Sequence, residues 1–251
     1  MKLYIKTLGR VHKQHTLRFV PDATLVVQAH EADAYKAAWP TKDVLVLPES
    51  VKTIGATDRY LLEVAARREP DMKVVLLDDD LTFYRRIPDS TKLRLCNAHD
   101  MDILWNEVET QLDEYVHVAV SAREGNNRLD LPYEFNIRYM RVRAYNAMRL
   151  PDGLDIDRIN CLGDFDVNLQ LLAAGLPSCV LTEYAQNHPG TQAPGGCTTQ
   201  RTNDTHKAET QKLADLWPGI VKLVQKENKG GGEFGHRQEV VVSWKKALKK
   251  Q

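Results

Sequence analysis

No run of apolar residues in this sequence approaches the roughly 18 that a membrane-crossing helix requires, so no span is expected. The opening Met1-Lys2-Leu3-Tyr4-Ile5-Lys6 enters a strand-like pattern at once and lacks the apolar core of a signal peptide, which predicts a cytoplasmic protein. Cysteine is scarce. Cys96, Cys161, Cys179 and Cys197 stand far apart and form no CxxC pair, so buried reduced thiols are expected rather than a zinc site. Net charge is absent too, 34 basic residues cancelling 34 acidic ones, and no internal repeat is visible. What remains is an ordinary globular composition, 43% hydrophobic and 27% charged over 251 residues, enough for one domain spanning 1–251.

The charge that is present is unevenly placed. Lys2, Lys6, Arg10, Lys13 and Arg18 all precede the first acid, Asp22, and a second basic stretch runs through Arg123, Arg128, Arg138, Arg141, Arg143 and Arg149. The tail adds Lys245, Lys246, Lys249 and Lys250, while acids gather in 98–114. Such asymmetry fits either a polyanion-binding face or solvated helix surfaces, and the residues alone leave both open.

Short apolar strands alternate with helical stretches. Strands are expected at Leu3–Leu8, Thr24–Val27, Val44–Leu47 and Val74–Leu77, with a helix over Ala32–Ala38 and another from a Thr57 cap to about Arg68. Val74-Val75-Leu76-Leu77 is apolar throughout, as befits a central parallel strand covered on both faces. Further on come a helix over Asp100–Glu114, a strand at His117–Ser121 and a polar loop at Arg123–Arg128. Asn136–Arg149 reads as a strand followed by a short helix. Asp164–Ala174 is an amphipathic helix that Gly175 should stop, and Ser178–Thr182 a short strand. A long loop at Asn187–Asn203, helices at Lys207–Leu216 and Ile220–Val224, a Gly230–Gly232 hinge and a strand at Glu239–Trp244 follow. The pattern predicts an α/β fold with a mixed, mostly parallel, Rossmann-like sheet flanked by helices.

Three motifs carry chemistry. Asp78-Asp79-Asp80 emerges where the apolar strand ends, the edge at which open α/β sheets place ligands. Crowded carboxylates raise one another's pKa, and a hard dication such as Mn²⁺ or Mg²⁺ relieves that cost. Asp78 and Asp80, two apart, face the same side of an extended segment and can share one ion. A solvated acidic turn is the plainer alternative. Gly163-Asp164-Phe165-Asp166 opens a helix, where either acid serves as an N-cap or as a general base facing a cleft. His188 and His206 flank the loop containing Gly195, Gly196 and Arg201. Either histidine is a surface residue or a further metal ligand, and Arg201 suits a phosphate.

In this order the motifs resemble the GT-A class of glycosyltransferases, in which a strand ends in Asp-x-Asp, a later helix begins with the catalytic acid, and a downstream His joins the metal. More narrowly, the chain is similar to glycosyltransferases found in bacteriophages beside TET/JBP-type base oxygenases, a family related to the C-terminal domain of the GREB proteins. Val75–Arg86, Val118–Arg128, Gly163–Gly175, Gly195–Arg201 and Trp217-Pro218-Gly219 carry the similarity. One departure stands out: GT-A enzymes usually have Glu-Asp where this chain has Gly163-Asp164.

The resemblance implies transfer of a sugar from a nucleotide sugar, UDP-linked, to the hydroxyl of 5-hydroxymethylcytosine in DNA. It implies a metal on Asp78 and Asp80 with His206 or His188, a base at Asp164 with Asp166 as substitute, and donor contacts from Gly9, Arg10, Arg59, Asp79, Arg85 and Arg201. Arg123, Asn126, Asn127, Arg128, Gly195 and Gly196 become the acceptor or sugar contacts, Asn126-Asn127 having a tight turn as its plainer reading. Residues 1–95 form the donor and metal half on this view, and 96–251 the acceptor half with its basic tail. A nucleotidyltransferase, a glycosyltransferase with another acceptor and a non-catalytic DNA-binding module remain open on sequence alone.

Overall fold

The computed structural model describes residues 1–126, 131–188, 202–227 and 236–248. Strands β1 (Lys2–Lys6), β2 (Thr24–Val27), β3 (Val44–Val46) and β4 (Lys73–Asp78) lie parallel in the order β3-β2-β1-β4. Helix α1 (Ala32–Ala38) links β2 to β3. Helix α2 (Ile54–Tyr60) begins the crossover from β3 to β4, which continues through a wider helical turn at Leu61–Ala65. The N-cap of α2 is Thr53, whose side chain accepts from the Ala56 N–H; Thr57, expected as the cap, is buried inside the helix. Because β4 has neighbours on both edges and helices on both faces, Val74 through Leu77 are completely buried, which is why its run is apolar without alternation.

Beyond β4 come β5 (Thr82–Arg86), β6 (Leu93–Leu95), α3 (Ala98–Glu114), β7 (His117–Ala122) and the single kinked turn α4 (Arg123–Asn126). They are followed by β8 (Tyr133–Phe135), β9 (Val142–Asn146), α5 (Gly163–Ala173) and β10 (Ser178–Asn187). The sheet continues β4-β9-β7-β10-β5-β6, with β8 on β10. Strands β5, β8 and β9 run against the other seven, so the sheet is mixed but mostly co-directional, as expected from sequence. The hairpin β5–β6 attaches to β10, so residues from before and after position 95 interleave in one sheet.

Alternate residues of β1 and β4 enter opposite cores. Ile5, Val75 and Leu77 face α1 and α3 with Tyr35, Leu104 and Val108; Tyr4, Val74 and Leu76 face α2 and α5 with Leu61, Val167 and Leu171. Each such side chain contributes about 1.5–3 kcal/mol on burial. Gly175 adopts φ +80° just beyond α5, the expected stop, whereas the cap at the other end is Leu162, not Asp164. Finally α6 (Asn203–Leu216), the hairpin β11 (Val221–Glu227)–β12 (His236–Val242) and α7 (Trp244–Ala247) pack on α5 through Leu213, Val221 and Ala247 against Phe165, Leu169 and Leu172. Of Ile220–Val224, read from sequence as a helix, Val221–Val224 belongs to β11, where Val221 and Leu223 pair with Val242 and Val240 across the hairpin. Among the described residues no helix is long and apolar enough to cross a membrane.

Candidate active site

The three aspartates at the end of β4 separate by the parity of the strand. Asp79 turns toward α1 and is buried, accepting from Thr7 Oγ1 and from Arg10 Nη1, both at 2.6 Å. Burial raises its carboxyl to about 6, against the pull of Thr7 and Arg10. The same Arg10 Nη1 reaches Asp80 at 2.9 Å. Thr16 fastens the turn: its hydroxyl donates to the Asp78 carbonyl, and the Leu81 N–H donates to that hydroxyl. Arg10, expected at the nucleotide, is therefore the clamp across Asp79 and Asp80. The Gly9 N–H is taken by the Glu31 carboxylate, although Gly9 and Arg10 do border a concavity with His12, Lys13 and Ala34.

Asp78 lies on the α2/α5 side, in register with Lys6. Its side chain accepts no hydrogen bond among the described residues. Burial raises its carboxyl, Lys6 pulls it back, and Asp80 adds to the rise. Beside it, buried Asp58 of α2 accepts from Lys6 Nζ at 2.8 Å and from Arg143 Nη2 at 2.6 Å. Although burial pushes Asp58 upward, the Arg143 and Lys6 charges hold it below its ordinary range. Antiparallel pairing of β9 with β4 delivers the start of β9 to the same edge. The Asp78 N–H donates to the Arg141 carbonyl, and Arg141 has φ +63°. Arg141 Nη1 donates to Gln186 Oε1 at 3.4 Å near the end of β10. His188, two residues on, is lowered by burial and by Arg141, with Asp80, Glu124 and Asp78 opposing, so it belongs to this corner.

Asp164, half-buried at the start of α5, sits where its charge acts on Tyr139, Arg143 and Tyr145. Asp58, Asp78, Arg143 and Asp164 thus line one side of the sheet. Asp166 does not join them. It is buried and saturated by Arg158 at 2.6 and 2.8 Å, Gln170 at 2.8 Å and Trp217 Nε1 at 2.7 Å, which leaves no lone pair for a substrate proton.

Other sequence candidates are engaged elsewhere in the fold or stand apart from the acid cluster. His206 is buried against β12 with Nε2 3.5 Å from Glu239, in the C-terminal hairpin packing rather than at the acid cluster. Arg85 is held by Glu183 at 2.7 Å and Asp100 at 3.2 Å. The Asn126 amide donates to Ser121, Thr182 and Tyr184 and its oxygen accepts from Arg86, so it pins the bulge of β10 beside β7 and has nothing left for a base edge. Arg59 pairs with Asp157 at 3.0 Å. Arg123 is exposed and stacks on the Tyr84 ring at 4.3 Å. Asn127, Arg128, Gly195, Gly196 and Arg201 lie outside the described residues, as does Cys197; Cys96 and Cys179 are buried free thiols, each raised by burial to about 12.

Sequence reasoning counted Lys6, Arg141 and Arg143 only as parts of basic stretches and gave Asp58 no role of its own. Their only linear signal is a charge at an inward position of a strand or helix, and that is recognisable only once the partner is known. Among the described residues, no group of three or more His, Cys, Asp or Glu side chains converges as a ready-made metal cage.

The family model for TET-associated glycosyltransferases matches residues 1–196, a stretch that holds the β4 acids, α5 and His188. The chain is 23% identical over 206 residues to the beta-glucosyl-HMC-alpha-glucosyl-transferases of Enterobacteria phages T6 and T2, covering 77% of this chain and 72% of each relative. Among solved structures, A197 from STIV shares 11% identity at a TM-score of 0.43, with 76% of this chain and 87% of that one covered. Mannose-1-phosphate geranyltransferase from Thermus thermophilus shares 13% at 0.39, with 74% and 75% covered. An acid-ended central strand, a second acid at a helix start across the same face and a family match over both make the assignment: this chain belongs to the TET-associated glycosyltransferases.

Proposed function

We propose that this glycosyltransferase moves a sugar from a UDP-linked donor to the hydroxyl of 5-hydroxymethylcytosine in DNA, with Asp78 and Asp80 sharing a Mn²⁺ or Mg²⁺ ion with the donor diphosphate. One observation carries the reading: Asp78 offers a carboxylate that nothing in the described protein hydrogen-bonds, at the carboxyl edge of the central strand and on the side Asp164 occupies. The acceptor comes from the phage relatives, whose names describe enzymes acting on glucosylated hydroxymethylcytosine.

The donor set suits a hard cation. Asp78 is raised by burial and by Asp80, a cost that a dication removes, and two carboxylates completed by substrate phosphates are typical of Mg²⁺. His188 is the better placed histidine for a further ligand, since Asp80 and Asp78 already act on it. When bound, the ion would stabilise the charge growing on the departing diphosphate. Lys6, tied to Asp58, and Arg10, tied to Asp79 and Asp80, keep the carboxylates in place. Asp164 accepts the proton of the attacking hydroxyl as the bond from the anomeric carbon to phosphate breaks and the bond to the acceptor oxygen forms. A nucleoside diphosphate leaves. A well-placed base contributes about 10²–10⁴-fold, and attack opposite the leaving group inverts the anomeric carbon.

A second reading follows from the relatives' names, which specify a base already carrying β-glucose. Incubating the protein with UDP-, GDP- and ADP-sugars on hydroxymethylcytosine DNA, with and without prior β-glucosylation, and analysing nucleosides by mass separates the two. Transfer with release of UDP is expected. Release of pyrophosphate would make the protein a nucleotidyltransferase instead. Asp80→Ala and EDTA should each abolish transfer, and full turnover in EDTA would end the metal claim. Asp164→Asn should keep donor binding and lose transfer about 10²–10⁴-fold; a product of retained configuration would reassign that residue.

A further inference from the structure

We propose that Arg141 is a binding residue for the donor's diphosphate, its left-handed backbone kept in place for that contact; the proposal rests on the nucleotide-sugar reading above. Arg141 is one of four non-glycine residues with positive φ in the described chain, and it stands at the acid cluster. An L-residue is held at φ +63° only where its surroundings over-determine it, and glycine would serve the turn into β9 without strain. The backbone alone therefore does not explain an arginine here.

The side chain supplies the reason. Arg10, Arg85 and Arg143 each stand within 2.6–2.7 Å of a carboxylate. Half-buried Arg141 makes no ion pair among the described residues and has only its 3.4 Å bond to Gln186. Its carbonyl holds the Asp78 N–H, so the guanidinium leaves the chain beside the acid proposed to share the donor's ion. Asp78, Asp80 and Glu124 act on it from a distance, as does Arg138 with like charge. A desolvated cation near acids, yet not closed onto them, keeps donors for a bridging anion, and the planar fork of a guanidinium matches phosphate oxygens two at a time.

The test uses the full-length protein and isothermal titration of UDP and of uridine, with thermal melting of each variant. Arg141→Gly is expected to melt no lower than the parent, because the backbone strain is released, and to bind UDP about ten- to a hundredfold more weakly. Uridine affinity should not change, and Arg141→Lys should recover part of the UDP affinity. Parental UDP affinity in Arg141→Gly overturns the assignment, as does a lower melting temperature with UDP affinity kept, which would make Arg141 a neutralising strut. If the parent binds no UDP, GDP or ADP, the donor reading itself falls and takes this proposal with it.

Discussion

At the scale of single residues, three consecutive aspartates end up in three environments. Strand parity sends Asp79 into the α1 side, where Thr7 and Arg10 hold it, and leaves Asp78 on the opposite side with a carboxylate that accepts no hydrogen bond among the described residues. The Asp79 carboxyl is raised from 3.8 to about 6, so the folded protein binds its proton more tightly than the unfolded chain does. The sign follows: its contribution is complete below about pH 4 and lost as pH rises through about 6, a change of up to about 3 kcal/mol. Asp79→Asn should therefore flatten the fall in urea-unfolding free energy between pH 4 and 7 while keeping the bond from Thr7. An unchanged slope would show that Asp79 ionises normally. Asp100 acts in the opposite sense. Bonds from Arg94 hold it well below the usual carboxylate range, so its contribution is present at neutral pH and lost as acid is added. The DDD cluster stood out in the sequence, but the different surroundings of its side chains did not, because parity decides them only after the strand's register is set.

At the scale of elements, alternation of short apolar strands with helices was readable for β1 through β4 and for α3 and α5. The short strands β5, β6 and β8 escaped, because they owe their state to pairing at the β10 side of the sheet rather than to their own composition. Packing of α2 on the segment before α5 was equally invisible. A Cβ on Gly55 would sit 2.9 Å from the Asp157 Cα, so only glycine lets the helix approach. That approach carries Asp58 to Lys6 and Arg143. Gly55→Ala should cost about 1–3 kcal/mol in chemical denaturation through overpacking. Arg59→Ala, which removes the half-exposed bridge to Asp157, should cost no more than about 1 kcal/mol. Equal losses from the two changes would refute the close-packing account.

At the scale of the whole molecule, the basic stretch read from sequence splits in two. Arg143 is buried in an ion pair with Asp58, whereas Arg123 and Arg138 are exposed and stack on Tyr84 and Phe165 at 4.3 and 4.8 Å. Arg138 acts by charge on Arg141, as does Glu124, the neighbour of Arg123 in sequence, which makes both stacked guanidiniums candidates for the rim of the proposed site. If DNA is the acceptor, these two should meet its phosphates. The double variant Arg123→Ala/Arg138→Ala is expected to weaken DNA binding and to lower the slope of log K against log salt by about 1 per lost contact. Donor hydrolysis should be unaffected. An unchanged salt slope would move the DNA to another face.

By itself the sequence determined the α/β class, the buried central strand, the acids at its end and the helix that begins at Gly163-Asp164, because periodicity, apolar runs and carboxylate crowding are local properties. Tertiary structure decided which of those groups are available. It committed Asp79, Asp166, Asn126, Arg85 and His206 to internal bonds and brought Lys6, Asp58, Arg141 and Arg143 around Asp78. The reason is physical: a polar side chain is free or consumed according to partners tens of residues away, and only the sheet's register and the helix packing bring those partners within hydrogen-bonding reach.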